Sequence, residues 1–358
     1  MKFEINYENE HKRQKKSFKN KIYFILLLFL SITFFILLIT YIILSSGNNT
    51  TTKNNTLEIK NDDNQTTTIY DEKSKERPIA YIIDNAVNDV NYAGLQDSYL
   101  NYEIIVEGGM TRIMALYKDK NISLIGPIRS LRHYFLDYSL ENDAIIVHFG
   151  NSPQSEEDIL KLNVDSINGI KENEPFRRDT KSKCPHNVYT NTTYIDNYVK
   201  KSSLISTSSN WKLFNISKEE INVNNEDKSN YANNINIIYS SDEYRTYTYD
   251  EGNRYYLRSQ NGSPQIDRIT KNQLHYKNII VQKVENNTID DYDRQSLNNI
   301  GRGEGYYITN GYYKKINWKK DDRVSKTIYT YQNGKQIDIN DGNTFINIVP
   351  INSDIIIK

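Results

Sequence analysis

The chain has 358 residues, with 45 basic and 45 acidic side chains and therefore no formal net charge. Its single cysteine excludes an internal disulfide and a two-cysteine metal site. Beyond the first 21 residues there are 38 basic and 42 acidic groups, a net of −4, which lacks the electrostatic footprint of a nucleic-acid-binding protein.

Residues 1–21 form a basic tail with seven Lys or Arg against three Glu. Residues 22–44, IYFILLLFLSITFFILLITYIIL, contain no charge, Pro or Gly. At about 1.5 Å per residue they would span the roughly 30 Å hydrocarbon core as a transmembrane helix. A cleaved signal peptide is the rival, with Ser45, Ser46 and Gly47 as a weak site. Its apolar region is usually only about 7–15 residues. The positive-inside rule keeps the tail cytoplasmic and exports the rest, giving a single-pass cell-membrane protein with extracytoplasmic domains. No cysteine follows the apolar run to carry a lipid; the only one, Cys184, reads as a partly buried thiol.

Residues 45–76 are polar, rich in Asn and Thr, and read as a flexible tether. From Arg77 to about 205 the pattern predicts an α/β or α+β domain. IAYIID (79–84), NYEIIVEGG (101–109), RIMALY (112–117) and AIIVHFG (144–150) read as strands, and LRHYFLDYSLEN (131–142) as a helix. Ser152-Pro153 supplies an N-cap and first turn for another helix, with Glu156 and Glu157 near its positive end. Residues 206–232 read as a connection. From 233 to 358 short β-branched and aromatic runs, with Asn310-Gly311 and Asn333-Gly334 between them, predict a β-rich domain built on hairpins. Its tyrosines could form an exposed glycan platform, but strand preference accounts for them more simply.

Most catalytic signatures are absent, including G-x-S-x-G, H-E-x-x-H, Walker A and S-x-x-K. GRGEG (301–305) reads as a tight loop before a strand, because no strand–turn–helix context follows it. The sequons at Asn121 and Asn191 matter only in a glycosylating host. Polar groups instead gather at the predicted strand ends of the first domain, where open α/β sheets bind ligands. The candidates are Asp84, Asn85, Glu103, Glu107, Arg112, Arg129, Arg132, His133, His148, Arg177, Arg178 and His186, with Asn151, Gln154 and Asn187 nearby. Glu107, close in sequence to Arg112 and Arg129, could orient a guanidinium toward an anion. The same residues could equally be structural ion pairs. His133, His148 and His186 lack metal-ligand spacing, so neither a metal nor another cofactor is expected.

RPIAYIIDN (77–85), YEIIVEGGMTRIMALY (102–117), IGPIRSLRHYFLD (125–137), VHFGNSPQ (147–154) and PHNVYT (185–190) resemble the N-terminal half of the YerB-like, DUF3048-containing bacterial lipoproteins. RYYLRSQNGSPQIDRIT (254–270), NIIVQKV (278–284), GRGEGYYITNGYYKKINWKK (301–320) and GNTFINIVP (342–350) resemble the C-terminal half. The resemblance covers nearly all of 77–350 and implies an envelope location and two successive domains. It implies little about activity. Where that family carries a lipobox cysteine this chain has the apolar run 22–44, and Gly150-Asn151 stands where the family usually has Gly-Gly.

These features predict a membrane-held binding or scaffold protein of the envelope, with a cell-wall component or envelope protein as partner. The alternative is a hydrolase or transferase acting on wall polymers, with Glu103, Glu107 or Asp84 as acid or base and His148 or His186 as partner.

Overall fold

The computed structural model describes residues 26–34, 36–38, 69–86, 90–224 and 230–358. The chain forms two compact units, Met1–Asp63 and Asn64–Lys358. In the first, residues 26–34 and 36–38 are helical with exposed apolar side chains. Among the described residues no helix is long and apolar enough to cross a membrane. The remainder of the predicted span 22–44, the basic tail 1–21 and residues 45–68 lie outside the described residues.

The second unit is organised by a ten-stranded mixed sheet. Its strands are β1 (Ile79–Asp84), β2 (Leu100–Ile105), β3 (Thr111–Tyr117), β4 (Ile145–His148) and β5 (Ser166–Asn168) from the first half of the chain. Three helices belong to the same half: α1 (Phe135–Glu141), α2 (Pro153–Lys161) and α3 (Thr192–Lys201). The second half contributes β6 (Asn234–Ile238), β7 (Tyr244–Asp250), β8 (Tyr255–Gln260), β9 (Asn278–Val284), β10 (Gly301–Thr309), β11 (Tyr312–Lys320), β12 (Ile328–Tyr331), β13 (Thr344–Pro350) and β14 (Ile355–Ile357).

The order across the large sheet is β12-β11-β10-β9-β13-β2-β3-β1-β4-β5. The matching joint is β13, which lies parallel to β9 on one side and to β2 on the other. Residues from both predicted domains therefore share one continuous sheet. Strands β8, β7, β6 and β14 form a second, antiparallel sheet, with Ser263–Pro264 and His275–Tyr276 added against β8.

Two apolar layers follow from the period-two alternation of buried strands. Ala80, Ile82, Tyr102, Ile104, Ile346 and Ile348 face one layer, closed by Phe135, Leu136 and Tyr138 of α1. Tyr81, Ile83, Ile113, Phe345 and Val349 face the other, closed by Ile195 and Val199 of α3 and by the smaller sheet. Strands buried on both faces are apolar nearly throughout, which explains why 79–84 reads as a continuous apolar run.

The capping signal is realised: Ser152 Oγ accepts from Ser155 N at 3.2 Å at the start of α2. Asn310 and Gly311 take φ of 52° and 80° between β10 and β11, the two-residue primed turn their sequence specifies.

Three expectations change. The GRGEG run is strand, not loop: Gly301, Gly303 and Gly305 pair with Lys320, Trp318 and Ile316. A Cβ on Gly303 would meet the Trp318 indole at 2.6 Å, and one on Gly305 would meet the Val281 carbonyl oxygen at 2.0 Å. These glycines admit a ring and a neighbouring backbone, not a phosphate. The polar stretches also contribute to the core. Tyr70, inside the predicted tether, packs edge-on to Trp211 at 4.8 Å, and Trp211, Leu213, Phe214 and Val223 of the predicted connection are buried. Finally, Cys184 is exposed and not the partly buried thiol expected, while Tyr247, Tyr256, Tyr276, Tyr307 and Tyr329 are fully buried, in keeping with strand preference and not with an exposed platform.

Candidate functional site

The predicted site residues divide into two neighbouring groups and three outliers. The first group is a buried ionic network between the halves. Asn85 and Glu103 belong to the first half; Glu243, Arg245, Arg258, Gln260 and Gln265 come from the second. Glu103 Oε1 accepts from Arg245 Nε at 2.6 Å and from Thr111 Oγ1 at 2.7 Å, and its Oε2 accepts from Arg258. Asn85 Nδ2 donates to Glu103 Oε1 at 2.8 Å, and its Oδ1 accepts from Tyr92 Oη at 2.7 Å and Gln265 Nε2 at 3.0 Å. Burial pushes the Glu103 carboxyl up, but Arg245 and Arg258 outweigh it and hold the group below the usual carboxylate range. A fully buried carboxylate engaged in this way cannot exchange a proton with a substrate, which removes Glu103 from the acid–base candidates.

The second group is an arginine cluster at the C-terminal end of β1. Asp84 closes β1 and lies directly opposite Arg112 of β3. Its Oδ2 accepts from His186 Nδ1 at 2.5 Å and lies 3.2 Å from Arg129 Nε. Arg129 also donates to the Pro185 carbonyl at 3.2 Å. Arg132 pairs with Glu107, the carboxylate expected beside Arg112 and Arg129. Arg112 is buried and donates to the Ser130 carbonyl. Burial, reinforced by Arg132 and Arg129, lowers its pKa to about 10. Glu107 stays below the usual carboxylate range, because Arg132 outweighs the upward push of burial. Arg178 borders this group: it donates to Asn187 Oδ1 at 2.8 Å and lies over the Phe149 ring at 5.1 Å. Three guanidiniums thus share two carboxylates, with a fourth at the margin.

His133, His148 and Arg177 lie elsewhere. The His133 ring packs against Tyr134 at 5.1 Å, and its carbonyl accepts from Arg323. Arg177 is exposed over Tyr194 at 4.9 Å. His148 is fully buried, with Nδ1 on the Gly150 carbonyl at 2.8 Å and Nε2 3.3 Å from Ser166 Oγ. With both nitrogens engaged it fixes a turn and cannot act as a catalytic base. Among the described residues no group of three His, Cys, Asp or Glu could hold a metal.

Burial pushes the His148 pKa down from 6.5 to about 4. A depressed histidine pKa means the folded state prefers the neutral ring. Stability is then complete above about pH 6.5 and falls as pH drops toward 4, because only the unfolded chain binds the proton. Between pH 7 and pH 5 this should remove about 2 kcal/mol, measured by urea unfolding. His148→Gln should flatten that part of the profile.

The sequence offered no reason to join Arg245 and Arg258 to Glu103. The available signal was alternation: Arg245, Tyr247 and Tyr249 share one face of β7, and Tyr256, Arg258 and Gln260 one face of β8. A charge on an otherwise inward-facing row needs a buried partner.

A fold of this kind has a counterpart among known proteins. The family model "Protein of unknown function (DUF3048) N-terminal domain" matches residues 66–205, and its C-terminal counterpart matches 235–346. The chain belongs to the DUF3048 family. It is similar to "Putative lipoprotein YerB" of Bacillus subtilis (strain 168), with 28% identity over 77% of this chain and 82% of that protein. The crystal structure of YerB from Bacillus subtilis superposes with a TM-score of 0.69 at 26% identity, covering 79% of this chain and 94% of the other.

Proposed function

We propose that this is a non-enzymatic protein of the bacterial envelope, anchored in the membrane through residues 22–44, which binds an anionic component of the cell wall at the arginine cluster. The observation that carries this reading is the imbalance at the end of β1. Arg112, Arg129 and Arg132 stand against Asp84 and Glu107, and burial with its like-charged neighbours already depresses Arg112. An arriving carboxylate or phosphate would relieve that repulsion and accept paired hydrogen bonds from the guanidinium forks. The anchor draws support from the helical, apolar residues 26–34 and 36–38 and from the lipoprotein description carried by the relative.

The test is sedimentation of full-length protein in detergent with isolated cell walls. Arg129→Gln combined with Arg178→Gln should weaken binding about tenfold, as expected for losing roughly 1.4 kcal/mol of charge-assisted contact. Binding should also fall with salt. Wall binding that ignores both changes would sink the proposal. The anchor is tested separately: the protein should stay with membranes after alkaline carbonate extraction.

One observation favours a second reading as a hydrolase or transferase on wall polymers. Asp84 holds His186 through Nδ1, and Nε2 has no partner among the described residues. A carboxylate-oriented imidazole is the arrangement a general base uses. Release of soluble fragments from walls by wild type, abolished in His186→Ala, would establish it; no release by wild type would dismiss it.

A further inference from the structure

A cavity lies at the end of these strands opposite the arginine cluster. It has a volume of about 290 Å³ and opens between β1, β3, β4 and α3. That is the small end of the usual range for ligand sites, about 300–1,000 Å³. Ile79 and Tyr81 begin β1, Tyr117 ends β3, and Val199 faces them from α3, so the floor is apolar and aromatic. Tyr81 and Tyr117 pack edge to face at 5.3 Å.

The two tyrosines differ at their hydroxyls. Tyr117 donates to the Gly94 carbonyl at 3.0 Å. The Tyr81 hydroxyl is fully buried and has no hydrogen-bond partner among the described residues. Native folds rarely leave such a group unsatisfied, because its lost hydration costs about 1–3 kcal/mol. Burial first and the Asp196 carboxylate second push its pKa well above the usual phenol value, so it remains a donor throughout the ordinary pH range. Asp196 lines the same cavity as Tyr81.

The rim carries both signs. Glu76 and Asp196 are its carboxylates, and Lys120 and Lys200 are ammonium groups. None of these four makes an ion pair with another group among the described residues. Lys118, by contrast, is occupied by the Glu76 carbonyl and by Ser74 Oγ at 3.2 Å. An apolar floor, one unspent donor and a rim with free charges of both signs suit a zwitterion with an apolar side chain.

We infer that this cavity is a binding site for a free amino acid or short peptide, whose apolar side chain rests on Tyr81 and Tyr117. Its carbonyl oxygen accepts from the Tyr81 hydroxyl, its ammonium meets Glu76 and Asp196, and its carboxylate meets Lys120 and Lys200. The site is separate from the arginine cluster and does not depend on it.

The test is calorimetric titration of full-length protein in detergent with the dipeptide Leu-Leu, up to about 10 mM, which would reveal a Kd near 1 mM. Saturable binding is expected. N-acetylation or C-terminal amidation of the dipeptide should weaken it severalfold. Tyr81→Phe should weaken it roughly three- to tenfold, the worth of one hydrogen bond, without lowering the melting temperature. Lys120→Gln, at a half-buried position, and Asp196→Asn, at an exposed one, should each weaken it as well. No saturable heat with wild type would overturn the inference. So would unchanged affinity in all three variants, or equal binding of the blocked dipeptides, which would mark the cavity as a merely apolar cleft.

Discussion

Replacing Glu103 with alanine is expected to cost about 3–5 kcal/mol of stability, a large fraction of what holds most folds together. The reason is geometric. Arg245 and Arg258 are fully buried, and Glu103 is the carboxylate they share, reached by Arg245 Nε at 2.6 Å and by Arg258 from the other oxygen. Glu243 remains 2.5 Å from Arg245, but Arg258 would lose the one ion pair it makes among the described residues. Removing one member leaves a guanidinium in an apolar interior, which costs more than the intact pair contributes. Glu103→Gln should be milder, since an amide oxygen can still accept one hydrogen bond. Thermal unfolding of the three proteins at one pH would decide it, and a Glu103→Ala protein as stable as wild type would show the network to be dispensable.

The second large effect concerns the halves themselves. Residues 64–232 produced alone should give no cooperative unfolding transition. Strand β2 pairs with β13 from Leu100 opposite Thr344 to Ile104 opposite Ile348, so its absence exposes a buried, apolar edge. Open edges of that kind pair with other chains, and aggregation is the expected outcome. In the intact protein the same joint can be loosened by one residue. Phe345 is fully buried, packs edge-on to Tyr276 at 4.7 Å and lies under the Arg258 guanidinium at 4.5 Å. Phe345→Ala should cost about 3–5 kcal/mol, read from denaturant midpoints. A cooperative transition in the isolated 64–232 segment would mean that the first half closes its own core.

The elements of this fold were more legible than their assembly. The apolar run of β1, the Ser152 cap and the Asn310-Gly311 turn are local chemistry, and the chain displays them. The place of β13 is not local. Nothing in TFINIVP says that its neighbours begin at 100 and 278, because pairing partners are set by the whole packing problem. GRGEG misled for a related reason: glycines signal turns on average, whereas here Trp318 and Val281 occupy the space their missing side chains leave. At the candidate site, the polar residues grouped from the sequence include Asp84, Arg112, Arg129 and His186, which the fold brings together. The sequence could not separate them from Glu103, whose arginine partners lie more than a hundred residues away, or show that His148 turns inward. The Tyr81 cavity had no sequence signature at all, since a tyrosine among apolar residues looks like core until its hydroxyl is found without a partner.

The central position of β13 also governs how the protein can come into being. A ribosome releases Leu100–Ile105 long before Thr344–Pro350, and β2 must wait for its neighbour across more than two hundred intervening residues. Contacts so distant along the chain make for slow closure, and the waiting strand is a hazard while it remains unpaired. The first half should therefore stay protease-sensitive in nascent chains until residue 350 has emerged, then become resistant together with the second half in a single late step.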